Sequence, residues 1–213
     1  MKKTIILLLT FCVICCAAFA QTYQKKMKSD GKTFNNRAAQ TSDGGFVDVG
    51  VVNYDSSENV KVVVSKFDQN INLQWQKSFN DTAVFAKGVV SPGIEQTSDG
   101  GYVISVKIGG ADPNEPLFVF KINASGNRVW SKKIFSTAAF KFYSKVSSAL
   151  LPDGGLVMTG QLGTTSGKFP YLIKLNSSNG TIAWVKALSL KQDSSNNTIA
   201  TNVSTASNGN VTV

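Results

Sequence analysis

Hydrophobic positions in this chain come in short runs separated by Gly, Asn, Asp and Ser. Leu117-Phe118-Val119-Phe120-Lys121-Ile122 and Tyr102-Val103-Ile104-Ser105-Val106 are rich in β-branched and aromatic residues, which is strand composition. Val89 to Thr97 precedes them, and Arg128-Val129-Trp130-Ser131-Lys132 follows as a more polar run. Turn signals stand between the runs: Asp99-Gly100, the loop with Gly109, Gly110 and Pro113, and Asn123 to Asn127 with Gly126. No stretch combines a 3.6-residue period with helix caps, so only strands are predicted.

This four-strand pattern repeats. Gln40-Thr41-Ser42-Asp43-Gly44-Gly45-Phe46-Val47 returns as Gln96-Thr97-Ser98-Asp99-Gly100-Gly101-Tyr102-Val103. It returns more loosely as Leu151-Pro152-Asp153-Gly154-Gly155-Leu156-Val157, and again as Ala206-Ser207-Asn208-Gly209-Asn210-Val211. Asp43, Asp99, Asp153 and Asn208 are spaced by 56, 54 and 55 residues. Two further landmarks keep that period. One is Lys66-Phe67-Asp68, Lys121-Ile122-Asn123 and Lys174-Leu175-Asn176. The other is Trp75-x-Lys77, Trp130-x-Lys132 and Trp184-x-Lys186.

Four strands in a unit of this size predict an all-β, β-propeller-like array of four-stranded antiparallel blades. The units fall at about 35–80, 86–136 and 141–188, with an incomplete fourth at 196–213, after a segment at 21–34. Asp43-Gly44, Asp99-Gly100, Asp153-Gly154 and Asn208-Gly209 are predicted as tight primed hairpin turns, whose positive φ Gly, Asp and Asn tolerate. Trp75, Trp130 and Trp184 are predicted as inter-blade core, against a rival reading as an exposed aromatic platform for sugars.

The first 20 residues stand apart. Lys2 and Lys3 precede an apolar run from Ile5 to Cys16, and Ala18-Phe19-Ala20 supplies small residues at a cleavage-like site. That layout is a secretory signal peptide, with no transmembrane span left after cleavage. An uncleaved anchor and lipid attachment at Cys15 or Cys16 are the alternatives. The expected localisation is secreted or cell surface.

The three cysteines all lie in that segment and the chain has no histidine. A mature chain starting at Gln21 therefore has no disulfide, no Ser-His-Asp triad and no thiolate or imidazole metal site. No cofactor and no metal are expected. Net charge is +9, or about +7 without Lys2 and Lys3. Apart from Lys25-Lys26-Met27-Lys28 and Lys132-Lys133 the lysines are dispersed, which reads as solvated strand faces rather than a nucleic-acid site. Gly163-Thr164-Thr165-Ser166-Gly167-Lys168-Phe169 fails as a phosphate loop: it is one spacer short, and Phe169 stands where Ser or Thr is needed. Asp68-Gln69-Asn70-Ile71-Asn72 opens like a calcium loop but lacks the later Gly and Glu. It reads as a polar turn.

The Thr-Ser-Asp-Gly-Gly-aromatic-Val, Lys-apolar-Asp/Asn and Trp-x-Lys landmarks resemble a repeat of secreted β-propeller proteins of Bacteroidetes-type bacteria. Many such proteins carry a C-terminal sorting domain for type IX secretion. The resemblance covers about residues 35–213; the third and fourth units depart from it at the Asp-Gly-Gly corner, and no sorting domain is present. It implies export and a propeller, and is silent on activity. Because the fourth unit stops at Val213, the expectation is an N-terminal fragment whose missing C-terminal blades are partners within the same chain. An arc completed by oligomerisation is the alternative. The functional expectation is a non-catalytic module for binding or surface scaffolding. Loops Gly109 to Glu115 and Gly163 to Lys168 would face an unidentified protein or glycan. The alternative is part of a propeller enzyme acting on glycans, or a quinone-dependent dehydrogenase.

Overall fold

A computed structural model describes residues 32–53, 60–80, 89–108, 116–135, 141–142, 146–164, 167–188 and 202–213. The expectations for residues 1–20, and most of 21–34, lie outside these residues. Every regular element among them is a β-strand.

The strands form successive antiparallel sheets. Blade 1 comprises β1 (Lys32–Gln40), β2 (Phe46–Asn53), β3 (Val60–Phe67) and β4 (Leu73–Phe79), hydrogen-bonded in that order. Blade 2 repeats it with β5 (Val89–Gln96), β6 (Tyr102–Ile108), β7 (Leu117–Ile122) and β8 (Arg128–Ile134). In blade 3 the first strand is split into β9 (Lys141–Phe142) and β10 (Ser147–Leu150), both paired with β11 (Leu156–Thr164). Strands β12 (Gly167–Leu175) and β13 (Ile182–Ala187) complete it. A fourth unit contributes the hairpin β14 (Ser204–Thr205) and β15 (Val211–Thr212). First strands of successive blades lie against one another, β1 with β5, β5 with β10 and β10 with β14. This is the all-β, propeller-like array of four-stranded blades, three complete and a fourth partial.

The split of the first strand has a precursor in the other blades. β1 has a register shift between Phe34 and Arg37, and β5 has one between Val90 and Gly93. The first strand thus shifts register at one level in every blade, in blade 3 between the Phe142–Leu162 and Ser147–Thr159 pairs. A second shift recurs between Lys66 and Phe67, Lys121 and Ile122, and Lys174 and Leu175. There β4, β8 and β13 carry one extra residue beside the tryptophan, a β-bulge that bends the outermost strand.

Burial explains why strands of blade 2 do not alternate. Tyr102, Ile104, Val106, Phe118, Phe120 and Ile122 pack against Val47, Val49, Val51, Val62 and Val64 of blade 1. Their sequence neighbours Val103, Leu117 and Val119 point the other way, into Leu156, Met158, Tyr171 and Ile173 of blade 3. A sheet covered on both faces needs apolar residues at consecutive positions. Each fully buried side chain of this kind contributes about 1.5–3 kcal/mol.

Candidate functional site

The repeated corner is a hairpin loop with internal hydrogen bonding. Gly44 N–H donates to Thr41 C=O (2.9 Å) and Thr41 N–H to Gly45 C=O (2.9 Å). The same pair of bonds recurs at Thr97–Gly101, Leu151–Gly155 and Ala206–Asn210. Only the glycine has positive φ: +81° at Gly44, +78° at Gly100, +77° at Gly154 and +85° at Gly209. The predicted primed turn is therefore corrected. The loop is an ordinary turn followed by one left-handed glycine, and Asp43, Asp99, Asp153 and Asn208 are not at positive φ. Their side chains act instead as acceptors, each receiving the N–H two residues on, at 2.8–3.1 Å.

The carboxylates also hold the lysines of the second landmark. Lys66 Nζ donates to Asp43 Oδ2 (2.8 Å) and to Phe67 C=O (2.9 Å), and is only 4% exposed. Lys121 pairs with Asp99 (2.5 Å) and Lys174 with Asp153. Lys66, followed by the Thr41 hydroxyl and the Gly45 N–H, holds the Asp43 carboxyl well below the usual carboxylate range. Lys121 and then Thr97 lower Asp99 to about 2. Lys174 and then the Gly155 N–H lower Asp153, where Leu151 replaces the threonine. Aspartate and lysine are 21–23 residues apart in all three blades, so their shared period was the available signal for this pairing. Each pair ties a corner to the third strand of its own blade, and no two corner aspartates pair with the same lysine.

The other turn of blades 2 and 3 lies against the preceding blade. Ile71, Gly126 and Gly180 hold the left-handed position of the β3–β4, β7–β8 and β12–β13 turns, with φ of 60°, 79° and 67°. In the first two turns Asp68 and Asn123 accept the N–H groups two and four residues on, at 2.8–3.1 Å. The would-be calcium loop is a polar hairpin turn with its carboxylate already engaged. Trp75, Trp130 and Trp184 are half-buried at the margins of the three inter-blade clusters. Trp75 meets Tyr102 edge-on, ring centroids 6.0 Å apart.

A separate polar group lies between the first strands. Glu95 on β5 is half-buried and receives a long 3.5 Å contact from the Ser148 hydroxyl on β10. Ser105 Oγ stands 3.4 Å from Ser148 Oγ. Burial pushes Glu95 up to about 7, against the opposing pull of Arg37 and Ser148. Sequence reading missed Glu95, because its equivalents at Ala39 and Ala149 are not charged.

Antiparallel pairing puts all Asp/Asn-Gly corners and β3–β4-type turns at one end of the blades. Segments 54–59, 109–115 and 165–166 leave from the opposite end, as do the links between blades. Gly109 to Glu115 falls outside the described residues. Gly163 to Lys168 is not the open loop expected, since Gly163 pairs with Lys168 and Thr164 with Gly167 across β11 and β12. Among the described residues no helix is long and apolar enough to cross a membrane, and no three His, Cys, Asp or Glu residues are grouped to hold a metal ion.

No protein-family model matches the chain, and no curated protein does. Among solved structures the chain is similar to a Synechocystis apocarotenoid oxygenase variant at 10% identity and a TM-score of 0.48, covering 72% of this chain and 38% of that one. It is similar to an ACO/RPE65 chimera at 12% identity and the same TM-score and coverage. The chain thus spans little more than a third of the length of those proteins.

Proposed function

We propose that this chain is an exported, non-catalytic module of the Bacteroidetes-type repeat class, made to present a variable rim to a protein or glycan. Its place is the secreted or cell-surface compartment, reached through the signal at 1–20. One observation carries the reading: the two ends of the blades are built on opposite principles. At one end every corner repeats the same loop, with its Asp or Asn engaged inside its own hairpin. At the other end the chain leaves the sheets in segments of unlike length and composition. A rigid scaffold with variable connections on one rim is the usual arrangement for recognition.

Glycan-array and cell-surface protein screens test the proposal. A specific hit should be lost when residues 109–115 are replaced by a Gly-Ser linker and kept in Asp99→Asn at the opposite end. Loss in Asp99→Asn with retention in the linker variant would overturn the rim assignment.

Glu95 favours a second reading, a propeller enzyme of the glycan-acting or quinone-dependent kind. A carboxyl titrating near neutrality can serve as a general acid. Turnover abolished by Glu95→Gln in a protein of unchanged stability would establish it.

A further inference from the structure

The first two joints between blades each contain a contact that ordinary face-to-face packing does not require. A Cβ built on Gly126 of blade 2 would lie 2.8 Å from Lys77 Cγ and 3.2 Å from Trp75 Cζ3 of blade 1. A Cβ on Gly180 of blade 3 would lie 2.5 Å from Trp130 Cζ3 of blade 2. At Gly180 all three contacts are onto the Trp130 ring and below 3.0 Å, whereas at Gly126 the ring would have to give by a few tenths of an ångström and the Lys77 side chain by more. The tryptophan on the outermost strand is therefore one wall of a notch, and the left-handed glycine of the next blade's last turn fills it. Two independent reasons demand glycine there, the positive φ and the ring.

In blade 3 Trp184 and Lys186 hold the repeat positions of Trp75 and Lys77, and of Trp130 and Lys132. Trp184 and Val211 of β15 both pack at the margin of the third cluster, the repeat positions of Trp75 and Tyr102 at the first joint. In the fourth unit the described glycine is Gly209, which has nothing within 4 Å. Lys186 Nζ lies over the Trp184 ring, 5.0 Å from its centroid.

We infer that the Trp184–Lys186 notch is a docking site for a β-hairpin with glycine in left-handed conformation at its turn, the shape of a further unit of this repeat. The site continues two interfaces already built in the same way, which fixes the occupant's chemistry. It also disfavours a specific candidate. The corresponding position in blade 1 is Ile71, which brings a branched Cβ to the place where Gly126 and Gly180 have none. The branched Cβ of Ile71 makes both ring closure onto the protein's own first blade and head-to-tail stacking of a second copy poorer fits to this notch than a glycine turn.

The test uses the full chain labelled with 5-fluorotryptophan, its three fluorine resonances assigned with Trp184→Phe. The probe is an unlabelled, head-to-tail cyclised peptide of residues 117–134, with its hairpin verified by cross-strand NOEs because an isolated hairpin is marginal. The expected result is a saturable shift of the Trp184 resonance alone, since the notches of Trp75 and Trp130 are filled. The Gly126→Ile peptide should bind at least about tenfold more weakly, equivalent to about 1.4 kcal/mol. A cyclised 60–79 peptide should leave Trp184 unmoved and gain the shift on Ile71→Gly. No shift with the glycine peptide, equal shifts with the Gly126→Ile peptide, or movement of all three resonances would each overturn the inference.

Discussion

The joint between blades 1 and 2 and the joint between blades 2 and 3 use the same backbone positions with different chemistry. On the forward face of the second strand, blade 1 places Val47, Val49 and Val51. Blade 2 places Val103, Ser105 and Lys107 there, and blade 3 places Val157, Thr159 and Gln161. All nine are buried. The cluster of the first joint is apolar, with its polar contacts, Ser42 N–H to Gln96 and Arg128 over the Phe79 ring, at its edges, whereas the second encloses Ser105, Ser148 and Glu95 beside its hydrophobic cluster. Strand register and the corner loops set the stacking, so the layer between two sheets can change from oil to hydrogen bonds without changing the architecture. The consequence is that the joints respond to different perturbations.

Phe120→Ala at the first joint should cost about 3–5 kcal/mol, the usual penalty for a large cavity in a closed core. Leu172→Ala in the thinner third cluster should cost nearer about 2 kcal/mol, at the low end of that range. Urea titration of both variants gives the ratio, and equal costs would erase the contrast between joints. Gly126→Ala should destabilise by about 2–3 kcal/mol, combining left-handed strain with overpacking against Trp75. Gly209→Ala carries only the strain, about 1 kcal/mol, because its surroundings are open. The difference between the two isolates the notch contact.

Acid–base behaviour sharpens the comparison further. Glu95 is neutral more readily folded than unfolded, so the folded state retains its proton between about pH 4.5 and 7. Stability should therefore fall across that window as pH rises, by on the order of 2 kcal/mol. Asp48, also raised by burial, contributes with the same sign from its own lower starting value. Thermal melts of Glu95→Gln should show most of the decline removed, and an unchanged slope would take Glu95 out of the second joint's energetics. The corner aspartates work in the opposite sense. Asp99 contributes above the unfolded carboxylate value and loses its contribution as pH falls from about 4 to 2. Because the pair is exposed, Asp99→Asn should cost only about 0.5–1 kcal/mol at neutral pH, measured by urea titration.

Much of the architecture was legible along the chain. Leu117 to Ile122 is the β7 strand to the residue, and the Asp-Gly corners fall where the period put them. Glycine at a turn and β-branched runs between turns are local signals, readable without knowing the neighbours. The misreadings concern relations between distant residues. Asp43 was assigned to backbone conformation when its role is to receive Lys66, because a turn propensity says nothing about what crosses from β3. Tryptophan periodicity pointed to packing, yet its partner is a glycine in the following blade, about 50 residues away in sequence. Glu95 left no trace, since a single carboxylate gains its character only from the burial that stacking imposes.

The Asp–Lys clamps span 21–23 residues and never reach into another sheet. Loop closure over such a short separation is entropically light, and contact order within a blade is low. A chain emerging gradually from a ribosome or a translocation pore can fasten one sheet before the next has been delivered, with each finished sheet serving as the template for its successor. The same locality lets gene duplication lengthen the protein by whole sheets, each arriving with its own fastening.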